Sequence, residues 1–68
     1  MQITYDSKFD LLYLRIDPVK QKVTNIQVTE DIVFDMGEGD KIVGIEILDA
    51  SKHVNLQSLM PIEFEKAG

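Results

Sequence analysis

The residues of this chain that could do chemistry are its acids: Asp6, Asp10, Asp35, Asp40, Glu46 and Asp49. Paired carboxylates perform acid–base work when burial or mutual repulsion keeps one of them protonated. Most of these acids stand where turns and caps need short acceptors. Asp6 and Asp10 flank one turn, Asp35 and Asp40 flank another, and Asp49 precedes a helix start. The structural reading is therefore preferred for the group. The stretch from Asp35 to Asp40 lacks the alternating oxygen ligands and distal glutamate of an EF-hand, so calcium is not expected there. Glu46 differs from the rest, because it lies mid-strand between Ile45 and Ile47. By parity it shares a face with Arg15, and a cross-strand ion pair between the two is expected. A specific contact to a basic partner is the sharper alternative for Glu46.

The chain has a single histidine and no cysteine, which excludes disulfides, thiolate metal sites and a His cluster for zinc. His53 falls within a predicted helix and reads as a surface or boundary residue. Neither G-x-S-x-G nor S-x-x-K occurs, and Gly37 and Gly39 are too few for a dinucleotide or P-loop signature. No catalytic residue, metal site or cofactor is expected, and the chain is read as not an enzyme.

The elements that must carry these residues are mostly strands. Ile3 and Tyr5 alternate with polar neighbours in a first strand over 1–5, and the segment from Asp6 to Asp10 reads as a turn. The second strand, 11–16, puts Leu12, Leu14 and Ile16 on one face and Leu11, Tyr13 and Arg15 on the other, ending at Asp17-Pro18. The third, 23–30, turns Ile26 and Val28 inward. The fourth, 32–36, alternates Ile32, Phe34 and Met36 with Val33 and Asp35. After the glycine-bearing turn at Gly37–Asp40, the fifth strand, 41–48, places Val43, Ile45 and Ile47 opposite Ile42, Gly44, Glu46 and Leu48. Gly44 marks a bulge or a point of close packing. Asp49 or Ser51 is the expected N-cap of a short helix within 49–60, carrying Val54, Leu56, Leu59 and Met60, with Pro61 ending it. Ile62 and Phe64 alternate in a tail, 61–68, read as a further strand or an interaction arm. The expected fold class is α+β: one domain, a small antiparallel sheet of about five strands in meander-like hairpins, one short C-terminal helix and an extended tail.

At 68 residues such a domain buries only about 60% of its unfolded surface, and it needs something to supplement its core. With disulfides and metals excluded, self-association remains. One helix covers about one face of the sheet, leaving Leu11, Tyr13, Val33, Ile42 and Leu48 on the other, with Ile62 and Phe64 in the tail. These are the candidate interface residues, and a homodimer is the expected assembly. Twelve acids against seven bases give a net charge of -5. That argues against nucleic-acid binding, where basic patches supply most of the affinity; an acidic surface favours association with a basic partner protein, although solubility alone is the preferred account of the charge. No signal-peptide pattern opens the chain and no apolar run is long enough to span a membrane, so a cytoplasmic protein without membrane contact is expected.

Tyr5-Asp6, Leu12-Tyr13-Leu14-Arg15-Ile16, Ile32-Val33-Phe34-Asp35 and Val43-Gly44-Ile45-Glu46-Ile47-Leu48-Asp49-Ala50-Ser51 together resemble the small prokaryotic family known as domain of unknown function 2283. The resemblance runs over nearly the whole chain through Ser51, and the block from Gly44 to Ser51 is its most specific part. Met36-Gly37-Glu38-Gly39 departs from the family's commoner hairpin. The resemblance implies a stand-alone β-rich protein with no established activity. It further implies an antitoxin-type role beside a small toxin-like protein, and no catalytic residues. The expected function is a non-enzymatic protein-binding module, antitoxin-like towards a small basic protein. The alternatives are a self-associating structural domain without a heteropartner and, last, an acidic metal-binding or hydrolytic site.

Overall fold

Period-two alternation builds a sheet of which one face is apolar. In the computed structural model, which describes residues 1–59 and 65–66, the strands are β1 (Gln2–Asp6), β2 (Leu11–Arg15), β3 (Thr24–Gln27), β4 (Ile32–Met36) and β5 (Ile42–Ile47). Each pairs antiparallel with its neighbours, and a short β6 (Glu65–Lys66) runs parallel to β1. The order across the sheet is β3-β4-β5-β2-β1-β6. A local hairpin, β1–β2, thus meets a local meander, β3–β4–β5, along the β2–β5 junction. The family-like β-rich architecture holds, but the fold is mostly β rather than α+β.

Cross-strand pairs fix the two faces, because directly opposed residues of an antiparallel ladder project the same way. Ile3–Leu14, Tyr5–Leu12, Leu12–Ile47, Leu14–Ile45, Ile32–Ile47, Phe34–Ile45 and Ile26–Phe34 define the apolar face. Its buried centre is Ile3, Leu12, Ile47 and Ala50, with Tyr5, Leu14, Ile32, Ile45, Val54, Leu56 and Leu59 packed around it. Sequence alternation anticipates Leu12, Leu14, Ile32, Ile45 and Ile47. It overestimates Ile16, Ile26 and Val28, which remain 41%, 48% and 50% exposed, and it overlooks Ala50.

Val43 is buried by another route. The register shifts so that Asp35 faces Gly44 while Met36 faces Ile42, leaving Val43 as the extra residue of a β-bulge. Its carbonyl accepts from both the Ile16 and Asp17 amides, at 2.8 and 3.0 Å.

The expected C-terminal helix is not formed over the described residues. Ala50–Lys52 and Leu56–Leu59 are separate short 3-10 segments. Asp49 is left-handed (φ 49°) and makes no side-chain cap. The cap comes instead from the β1–β2 turn. Asp10 accepts from the Ser51 amide at 3.1 Å and from its hydroxyl at 2.7 Å, and the Asp10 carbonyl accepts from the Ala50 amide at 2.9 Å. Asn55 then restarts the chain: its side-chain oxygen accepts from the Gln57 amide at 3.1 Å, and its carbonyl accepts from Ser58. Single turns suffice to lay Val54, Leu56 and Leu59 on the core. Of the expected tail, Glu65–Lys66 forms a strand. Ile62 and Phe64 lie outside the described residues.

Candidate functional site

The acids separate into two groups according to which element holds them. Asp6 and Asp10 belong to the β1–β2 turn. Asp6 accepts from the Lys8 amide at 2.9 Å. Asp10 takes the left-handed conformation (φ 52°), which aspartate tolerates better than most residues. Besides Ser51, Asp10 accepts the Tyr5 hydroxyl at 2.8 Å. These hydrogen bonds to Ser51 and Tyr5 stabilise its ionised form and hold its pKa below the ordinary 3.8, while the same contact pushes the Tyr5 phenol up. Asp40, also left-handed at φ 59°, closes the β4–β5 turn beside Gly39 at φ 66°. Asp49 lies 3.8 Å from the Lys52 ammonium at the surface, where such a pair contributes little. His53 meets Asp31 of the β3–β4 turn at 2.8 Å.

Asp35 and Glu46 form the second group, on the face opposite the core. Register places Tyr13 beside Glu46, Glu46 beside Val33, and Gly44 between Arg15 and Asp35, with Asn25 on the far side of Asp35. Asp35 is only 7% exposed. Its two oxygens accept from the Tyr13 hydroxyl, at 3.3 Å, and from the Asn25 side-chain amide. Glu46 stands on the same face as Asp35, one pair further along the β4–β5 ladder. Side-chain interaction with the Asp35 carboxyl, then burial, then the Asp35 charge raise the Glu46 carboxyl above its ordinary 4.5. Burial first, then the Asp35 charge and hydrogen bond, raises the Tyr13 phenol.

Gly44 makes this cluster possible. A Cβ there would stand 2.3 Å from the Tyr13 hydroxyl oxygen and 2.7 Å from Cζ, so the phenol lies directly over the glycine on its way to Asp35. Close packing, one of the two readings open for Gly44, is what this face uses, and the bulge lies next to it at Val43.

Arg15 and Glu46 share this face as expected, yet no ion pair between them occurs among the described residues. The Arg15 Nε donates to the Asp17 carbonyl at 2.9 Å, and Glu46 turns to Asp35. Sequence parity does not separate these outcomes. Asp35 was expected to flank a turn, whereas it reaches across the sheet from within β4. The available signal was Asn25, Asp35, Gly44, Glu46 and Tyr13 falling on one face of four adjacent strands.

The candidate interface is divided by the same cluster. Leu11, Tyr13 and Val33 are half-buried, and Ile42 and Leu48 are exposed. Leu11 and Leu48 extend the Leu12–Ile47 pair at one end of the sheet, while Ile42 lies beyond the bulge at the other. A polar centre therefore interrupts what alternation presents as an apolar patch. Apolar surface also remains uncovered on the core face. Residues 50–59 pack over its β1–β2–β5 side, and Ile26 and Val28 stay open beyond Phe34.

Two neighbouring carboxyls, one of them with a raised pKa, are an arrangement capable of acid–base chemistry. Here Tyr13 and Asn25 already engage both Asp35 oxygens, and the cluster ties β2, β3, β4 and β5 together. No group of three metal-ligating side chains forms among the described residues, and none of their helices is long and apolar enough to cross a membrane.

A six-stranded sheet with one covered half-face and a polar lock on its back defines a small β-sheet module. The chain matches the family described as protein of unknown function (DUF2283) over residues 2–51, and it belongs to that family. No curated protein and no solved structure matches it.

Proposed function

We propose that this protein is a non-enzymatic protein-binding module whose contact surface is the open β3–β4 half of its apolar face. The supporting observation is the contrast along one face: Leu12 is 1% exposed, whereas Ile26 is 48% and Val28 50% exposed. Apolar side chains left in water beside a formed core are a common signature of an interface. The net charge of -5 favours a basic partner, and the antitoxin-like role implied by the family makes that partner a small basic protein, encoded alongside this one. The acids carry no reaction in this reading, because Asp10 and Asp35 are occupied in holding elements together. We also infer a cytoplasmic location, which the absence of cysteine supports.

Calorimetric titration of the neighbouring gene's basic product tests the proposal. Val28→Lys removes apolar contact and adds repulsion, so affinity should fall at least tenfold; binding that Val28→Lys leaves unchanged refutes this surface. Self-association is the second reading, favoured by the edge of β3, which has no second strand neighbour among the described residues.

A further inference from the structure

The edge strand β3 has the composition and flanks of a strand built to pair with itself. Sheet edges are usually blunted by charge, proline or a bulge. The strand residues of β3 are Thr24, Asn25, Ile26 and Gln27, all exposed, and none is charged or a proline. On the described residues β3 has β4 on one side and no strand on the other. The Val28 amide donates to the Ile32 carbonyl at 2.8 Å, so Val28 and, by alternation, Ile26 and Thr24 direct their backbone groups at β4. Asn25 and Gln27 therefore direct theirs outward.

Charge then selects the orientation. Lys20 and Lys22 precede β3, and Glu30 follows it in the turn at Thr29–Ile32. Parallel pairing of two copies would set like charges against like, whereas antiparallel pairing sets the basic end of each against the acidic end of the other. We propose that two copies pair antiparallel through their β3 edges about a twofold axis at Ile26, bringing Lys22 of each alongside Glu30 of the other. A twofold axis perpendicular to the sheet keeps each face continuous, so opposed residues must share parity. Centring on Ile26 satisfies this: Asn25 and Gln27 exchange backbone hydrogen bonds with their counterparts, and Ile26 meets Ile26. The open half-faces of the two copies then become one apolar platform. This deepens the self-association reading and rests on it, and it moves the dimer contact from Leu11, Tyr13, Val33 and Ile42 to the edge strand.

Sedimentation equilibrium of the full chain at micromolar concentration, with three charge variants, tests the pairing. The parent should dimerise. Lys22→Glu and Glu30→Lys should each weaken the dimer about tenfold, since each converts two symmetric attractions into repulsions. The combined Lys22→Glu/Glu30→Lys variant should restore it. Circular dichroism of each variant confirms that these exposed changes leave the fold intact. A monomeric parent overturns the proposal, as does a dimer indifferent to the single changes or one that the double change fails to rescue. All three variants keep Ile26 and Val28, so heteropartner binding, read separately through Val28→Lys, can survive the failure of the dimer.

Discussion

Substituting Gly44 with alanine probes the lock on the back of the sheet, and its cost can be worked from the geometry. The added methyl would stand 2.3 Å from the Tyr13 hydroxyl oxygen and 3.0 Å from the Leu14 carbonyl oxygen. The first contact is with the tip of a mobile side chain, but Tyr13 can yield only by leaving Asp35. The second is with backbone of the paired strand and yields less. Overpacking of this kind costs about 1–3 kcal/mol. Alanine recovers about 0.5–1 kcal/mol of the entropy that glycine loses in a strand. The net spans about 0–2.5 kcal/mol and centres near a destabilisation of about 1 kcal/mol, and in a domain of this size each kcal/mol lowers Tm by about 4–8 °C. Thermal melts followed by circular dichroism should therefore show a fall of about 4–8 °C. In a Tyr13→Ala background the main clash is gone, and the same change should cost much less or become stabilising. A Gly44→Ala protein that melts at or above the parent, or a cost that persists undiminished without Tyr13, would refute the claim that the phenol lies over the glycine.

Glu46→Gln offers Asp35 a neutral amide in place of a second carboxylate, removing the repulsion between the two charges. A carboxyl whose folded pKa is raised favours the fold below its unfolded value, and that advantage is lost as pH rises through the raised value. The variant should therefore melt above the parent near neutrality, with the gap closing below the ordinary 4.5 of glutamate; melts across that range check the sign. Asp10 works the other way: its lowered pKa gives stability present above 3.8 and lost as pH falls through the folded value. Asp10→Asn preserves the left-handed turn but removes the anionic acceptor, so hydrogen exchange at the Ser51 amide should accelerate and this acid-sensitive contribution should disappear.

The strands were legible because each of β1 to β5 alternates across a sheet with one apolar face, and that signal is local. Residues 49–60 misled because cap residues are ambiguous when read locally. Asp49 and Ser51 look like an N-cap, yet the acceptor is Asp10, separated from Ser51 by 41 positions. Asn55, an equally local signal, breaks the segment again. Parity placed Arg15 and Glu46 on one face correctly, but it carries no information on whether a side chain turns to a cation, a backbone carbonyl or another acid. The Asp35–Tyr13 contact, 22 positions apart, depends on register between strands that are not consecutive.

The strand order also has a kinetic consequence. The hairpin and the meander each close through neighbouring turns and can assemble as the chain emerges during synthesis. The junction between them waits for β5, and the segment that seals the core follows β5. Because such distant pairing closes slowly, a nascent chain holds its greasy strands half-assembled until its final third is available. During that interval the β3 edge, which we propose as the seam between two copies, is open to mispairing.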